Sequence, residues 1–147
     1  METKQVNFNK GFKGEKFVAD KINLLGYHVI HIGGATKFSI DGGKFFSGDL
    51  LVFGKGKMFI TQVKYKEPRK MYPDTGLERA RFDNLKWLQK ETGSEVLLLF
   101  TDSSGKIYGE WIKNLKEESH GGETNTKTNE EMIYFWLKDL KNLIEII

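Results

Sequence analysis

Gln62 and Lys64 stand two residues apart in FITQVKYK, residues 59–66. Side chains alternate along a strand, so Met58, Ile60, Gln62, Lys64 and Lys66 share one face, and Phe59, Thr61, Val63 and Tyr65 the other. An amide and an ammonium therefore point the same way, next to the apolar pair Met58 and Ile60. Just upstream, Asp49–Phe53 reads as a strand and Gly54–Lys57 as a turn into the strand Met58–Lys66, so a hairpin sets Asp49 on the neighbouring strand. A carboxylate, an amide oxygen and the backbone carbonyl of Val63 form a hard-oxygen set suited to one Mg²⁺ completed by water. Glu15 is the fourth group. It falls on the apolar stripe of a preceding helix, and a helix packed over the same face would lower it toward the other three. Asp49 and Glu15 together would match the charge of one divalent ion. Lys64 beside that ion could orient or activate an attacking water and stabilise the added charge of a phosphorane-like transition state. Each residue alone has a plainer reading: Asp49 as a turn residue, Gln62 as a satisfied polar group, Lys64 as a cation reaching water, Glu15 as a helix-start or solvent-facing acid. Their joint occurrence, in order and on predictable faces, favours the chemical reading.

The elements that would carry these groups follow from periodicity. Gly14 to Leu25 is helical, with Val18, Ile22 and Leu25 on one stripe, Phe17 and Leu24 on the other side, and Gly26 as its stop. Tyr27–Ile32 reads as a strand, in which His28 and His31 face opposite sides and cannot chelate one ion together. Gly33–Gly43 reads as a mobile loop. Pro68 and Pro73 interrupt regular structure, and a second helix is expected from Leu77 to about Glu91 with Leu77, Arg81, Leu85 and Leu88 along one stripe. EVLLLFT, residues 95–101, has the continuous apolar character of a strand buried on both faces, which requires helices above and below it. A hairpin over Asp102–Lys106 leads to a strand at Ile107–Ile112; residues 117–131 read as a flexible polar excursion; MIYFWL resumes as a strand and KDLKNLIEII ends in a short helix. The expected fold is mixed α/β, a central β-sheet flanked by helices, in one domain spanning 1–147.

Composition narrows the partners. With 147 residues and 39% hydrophobic content the chain can bury one core. No apolar run is long enough to cross a bilayer and METKQVNFNK lacks the apolar stretch of a signal peptide, so a soluble, cytoplasmic protein is expected. The absence of cysteine excludes disulfides and thiolate metal sites. Residues 1–90 hold seventeen Lys and Arg against nine Asp and Glu, a balance of +8, whereas residues 91–147 hold six against eleven, a balance of −5. That asymmetry points to a polyanion. Lys10, Lys13, Lys16, Lys66, Arg69, Lys70, Arg79 and Arg81 are the candidate phosphate contacts, joined by Lys55 and Lys57 and interleaved with Tyr65 and Tyr72. No base-reading motif occurs, and the Gly33-Gly34 and Gly42-Gly43 pairs lack the Lys-Ser/Thr ending of a phosphate loop, so a nucleotide cofactor is not expected. Trp87, Trp111 and Trp136 read as core.

Taken together, KGFKGEKFVADKINLLGYHVI, GDLLVF and ITQVKYK resemble the PD-(D/E)XK nuclease superfamily over about Asn9 to Ile112. The opening is most similar to archaeal and viral Holliday junction resolvases, and glutamine at the usual acidic position to the Mrr-type restriction branch. The resemblance implies a restriction-endonuclease-like core and a Mg²⁺-dependent endonuclease of DNA, with Mn²⁺ able to substitute. It places Asp49 at the first-motif aspartate, Gln62 at the acidic-or-amide position, Lys64 at the lysine and Glu15 at the helical acid. It also implies branched DNA as substrate and a homodimer, for which Phe17 and Leu24 are interface candidates. Ser47 and Gly48 precede Asp49 where the family has proline. The alternatives are a duplex nuclease of restriction or repair on the same fold, and a DNA-binding module that has lost catalysis, a reading that Gln62 sustains.

Overall fold

The structure, a computed structural model, describes the backbone of residues 2–32, 39–40, 44–45, 49–116, 124–125 and 130–147, and the side chains of residues 13–32, 49–116 and 130–147. Helix α1 spans Glu2–Leu24 and stops at Gly26, whose φ of +95° suits glycine. It begins well before Gly14, because its polar opening carries no repeating apolar stripe to announce it. Strand β1 is His28–His31, and β2 (Ser39–Ile40) pairs with β3 (Lys44–Phe45). The rest of the expected Gly33–Gly43 loop lies outside the described residues. Strands β4 (Leu50–Gly54) and β5 (Lys57–Tyr65) form the expected hairpin, closed at Lys55 and Gly56 with φ of 51° and 76°. Two positive φ values give the turn the twist that matches paired strands.

After β5 the chain departs from the periodicity. Asp74–Glu78 is a strand, β6, and helix α2 runs Arg79–Thr92. Leu77 therefore belongs to a sheet, and the buried stripe of α2 is Phe82, Leu85 and Leu88, with Arg81 exposed. Strand β7 (Val96–Thr101) is buried along its whole length, as its apolar run implies. Strand β8 (Ile107–Trp111) returns antiparallel to it. Of residues 117–131, Thr124–Asn125 form β9 and pair with the start of β10 (Glu130–Trp136); 117–123 and 126–129 lie outside the described residues. The C-terminal segment holds β11 (Lys141–Asn142) and the short helix α3 (Leu143–Ile146).

Six strands make one mixed sheet in the order β1-β4-β5-β7-β8-β11, with β5 and β7 parallel. A second sheet, β6-β10-β9, lies over it with α2. The central sheet consequently has an apolar layer on each side. On one, Val18, Ala19 and Ile22 of α1 pack with Leu50, Val52, Phe59, Val63, Leu97 and Leu99. On the other, Phe82, Leu85 and Leu88 of α2 and Phe135 of β10 pack with Ile60, Leu98 and Phe100. Burying β7 from both sides makes it the spine on which β5 is held rigid. Among the described residues no helix is long and apolar enough to cross a membrane.

Candidate functional site

The site forms where β5 outruns β4. Among the described residues the last ladder bond between them runs from the Asp49 amide to the Thr61 carbonyl at 3.0 Å, so from residue 62 onward β5 has no partner strand there on that edge. Asp49 fills the gap with its side chain. Its Oδ2 accepts from the Val63 backbone amide at 2.8 Å and from Gln62 Nε2 at 2.7 Å. Hairpin register thus delivers the carboxylate to Gln62 and the Val63 main chain, as the sequence implied. Gln62 is 1% exposed. Its Nε2 also lies 3.4 Å from the Val63 carbonyl, whereas its Oε1 is buried with no hydrogen-bond donor among the described residues. A buried amide oxygen left unmet costs about 1–3 kcal/mol, so the arrangement is unfavourable as a purely structural one.

Asp49 is pushed up to about 6, chiefly by loss of water around the carboxylate and further by the negative charge of Glu15; the Val63 amide, Arg81 and Lys64 oppose the rise. Glu15 and Lys64 are thus both electrostatically felt at Asp49. Lys64 turns to Glu78, with Nζ 3.0 Å from Oε1. Glu78 Oε2 lies 3.7 Å from Arg81 Nε, and the two cations hold the Glu78 carboxyl below the usual range against the opposing effect of burial.

Glu15 arrives by a route different from the expected one. Helix α1 packs on the Phe59–Val63 face, opposite Gln62 and Lys64, and Glu15 Oε1 accepts from or pairs with His31 Nδ1 at 3.0 Å at the end of the sheet. Gly14 allows this closeness: a Cβ there would sit 3.2 Å from the Cβ of Tyr65. Glu15 therefore flanks the site from the far face instead of descending onto it. His28 and His31 do face apart, His28 stacking on Phe53.

The basic residues divide. Lys13, Lys16 and Lys70 are exposed, and Lys10 lies in the part of α1 whose side chains are outside the described residues. Arg79 pairs with Glu131 at 2.9 Å and Arg81 with Glu78. Arg69 is committed inward: Nε and Nη2 bind the two carboxylate oxygens of Asp74 at 2.7 and 2.6 Å, and Asp74 is 0% exposed. Lys66 lies 5.2 Å from the Tyr134 ring centre, and burial together with the neighbouring Lys64 lowers its affinity for a proton.

Glu78, Asp74 and Tyr134 went unnoticed in the sequence. DTGLE is short, follows Pro73, and pairs with a strand more than fifty residues later, so no local signal marks it as a strand. Glu78 takes its face from β6 and not from the helix that starts one residue later.

The oxygens present suit a hard divalent ion. The Asp49 carboxylate and the Val63 carbonyl lie together on either side of Gln62 Nε2, with Glu15 close enough to act on Asp49; turning the Gln62 amide over would present Oε1 to the same two oxygens. No cluster of three or more His, Cys, Asp or Glu that could hold a metal occurs among the described residues, so amide and main-chain oxygen would have to complete such a set.

No sequence-family model and no curated protein matches the chain. A solved structure does: the Holliday junction resolvase Hjc of the archaeal hyperthermophile Archaeoglobus fulgidus superposes with a TM-score of 0.64 over 92% of this chain and 93% of that one, at 12% identity. The fold is therefore restriction-endonuclease-like, a mixed sheet flanked by helices as the sequence implied, and it is shared with that structure over nearly the whole chain.

Proposed function

We propose that the protein is a Mg²⁺-dependent endonuclease that hydrolyses DNA phosphodiesters, with branched DNA such as a four-way junction as its preferred substrate. The observation that carries the reading is the Asp49 carboxylate, pushed up to about 6, against the buried Gln62, whose Nε2 binds it and whose Oε1 has no donor among the described residues. Both features are costs in the protein alone, and a bound cation relieves both at once. Asp49, the Val63 carbonyl and Gln62, its amide turned so that Oε1 takes the place of Nε2, would hold the ion, and Glu15, reaching from the α1 face, would orient water at it. When bound, Mg²⁺ would polarise the phosphoryl group and lower the pKa of a coordinated water.

The remaining steps belong to the chain's own groups. The Val63 amide fixes the Asp49 carboxylate through Oδ2, so Asp49 keeps its orientation as the proton is lost from it. Lys64, held by Glu78 at 3.0 Å, is a fixed positive charge that faces the scissile phosphate and stabilises charge growing on its non-bridging oxygens. Arg81 balances the other oxygen of Glu78, so that Glu78 steers Lys64 without neutralising the site. The exposed Lys13, Lys16 and Lys70 supply sequence-blind phosphate contacts. Two symmetric cuts in a junction would be made by a homodimer. Leu24, 80% exposed, is a candidate interface residue, and Phe17 is half-buried.

A second reading is a DNA-binding module without cleavage, favoured by the amide at position 62 and the lack of three clustered acids among the described residues. Supercoiled plasmid, linear duplex and four-way junctions incubated with Mg²⁺ separate the readings. Cleavage that is abolished by Asp49→Ala and by Lys64→Ala, with a preference for the junction, is the expected result. Cleavage surviving both substitutions removes the proposed site; binding without cleavage in any metal establishes the module; equal cleavage of duplex makes the enzyme a duplex nuclease.

A further inference from the structure

The segment 66–73, between β5 and β6, leaves the sheet after Tyr65, one residue past Lys64, and is built as a stiff mount. Arg69 is its centre. The guanidinium is gripped through two nitrogens by Asp74, which is 0% exposed. It stacks 3.6 Å from the Tyr134 ring centre on one side and 4.9 Å from that of Tyr72. The backbone closes the same turn twice: Arg69 N donates to Asp74 O at 3.0 Å, and Asp74 N to Tyr72 O at 2.8 Å. Pro68 and Pro73 restrict it further. All this rigidity ends in an apolar tip. Met71 is 85% exposed and Tyr72 41% exposed, and both adjoin the exposed cation Lys70.

A lone exposed methionine needs no explanation, but this one is paired with a tyrosine braced on an arginine, and the support is bought with a buried ion pair. Nor does the tip suit an apolar protein partner, since the exposed Lys70 adjoins Met71 and the half-buried Lys66 stands at the foot of the same segment, while Arg69 is neutralised by Asp74. A polyanion with apolar surface inside it fits both properties. Nucleic acid is that ligand: phosphates outside, base faces within, exposed to an apolar side chain only where a base step opens.

We propose that Met71 and Tyr72 form a wedge that enters an unstacked base step beside the scissile phosphate, with Lys70 on the adjoining phosphate. The inference rests on the nuclease reading and sharpens its substrate class. The wedge selects DNA whose stacking is already interrupted, at a branch, nick or mismatch, because opening a perfect duplex step costs a few kcal/mol more. Arg69 and Asp74 act behind it as positioning residues.

The test uses permanganate, which oxidises thymines whose ring faces are unstacked. The full chain in EDTA is titrated onto a four-way junction and onto a matched duplex, each with thymines at the central step, and binding is followed in parallel by fluorescence anisotropy. The expected result is binding to the junction with a severalfold rise in reactivity at one branch-point thymine, lost in Met71→Ala/Tyr72→Ala, retained in Met71→Leu, and with affinity changed less than tenfold in the double variant. Met71 is exposed but Tyr72 gives up its ring contact with Arg69, so thermal melting checks the fold, and Met71→Ala alone, which leaves that contact in place, is expected to lower the rise as well. Binding without the rise, or an undiminished rise in the double variant, overturns the wedge while leaving the nuclease reading intact. Absence of any anisotropy change on either DNA overturns the DNA reading itself, and the wedge with it.

Discussion

Asp74 and Asp49 are both carboxylates drawn away from water near one end of the sheet, and the chain neutralises them by different means. Asp74 receives a two-pronged guanidinium, and that guanidinium is stacked on Tyr134. Asp49 receives one backbone amide and one uncharged side-chain amide, and its carboxyl is pushed up to about 6. The neighbour that serves Asp49 is itself left with a buried oxygen unmet. A polar cluster that exists to hold a fold together is closed within itself. The Asp49 cluster is open, which is the property expected of a place kept for something positively charged.

Exchanging each carboxylate in turn should break the comparison most sharply. Asp49→Ala is expected to lower cleavage by at least about 10³-fold, as loss of a metal-holding group does, while DNA affinity in EDTA stays within about threefold. Asp74→Ala should do the reverse where stability is concerned, costing about 3–5 kcal/mol because Arg69 is left half-buried without its partner. Denaturant melts and single-turnover cleavage on the same samples check both. Equal losses of stability from the two substitutions would erase the distinction.

Lys64 comes next. Its substitution by alanine should reduce cleavage about 10²–10³-fold with little change in binding. Glu78→Gln should lower it by roughly tenfold, with the loss falling on kcat instead of KM, because the ammonium is present but no longer steered.

The smallest effect concerns the metal-free protein. Asp49 has a folded pKa raised above its unfolded value, so protonation is favoured by folding. Ionised Asp49 thus costs stability above about pH 6, and the cost disappears as pH falls below about 4, near the unfolded value of 3.8. Asp49→Asn should accordingly stabilise the metal-free chain at pH 7 by roughly 1–3 kcal/mol and make no such difference at pH 3.5. Thermal melts across pH in EDTA read this directly, and a destabilised Asp49→Asn chain at pH 7 would contradict it. Mg²⁺ should narrow the gap by stabilising only the wild type.

Local pattern made much of this arrangement legible. The hairpin of β4 and β5 was readable because its turn is two residues long, and its register sets Asp49 against Gln62 and Val63 without help from distant parts of the chain. The same holds for β7, whose unbroken apolar run implied cover on both faces. What failed was what depends on remote partners. Strand β6 exists because β10 pairs with it, Met132 against Glu78 through Trp136 against Asp74, and no alternation within five residues could announce that. Losing β6 hid Glu78, the steering partner of Lys64, and Asp74, the anchor of Arg69. Glu15 was found by its stripe but assigned to the wrong side of the sheet, because helical periodicity tells which residues face inward and not which face of a sheet receives them.

The central claim is that the oxygen of Gln62 is left unmet so that a cation can meet it. Crystals grown with Mn²⁺ and measured at the manganese absorption edge test it most directly. The account predicts an anomalous peak at coordination distance from Asp49 and Gln62 Oε1 in the wild type, and none there in Asp49→Ala. A fully occupied Mn²⁺ elsewhere on the chain, with Gln62 Oε1 bonded instead to a protein donor, would contradict it.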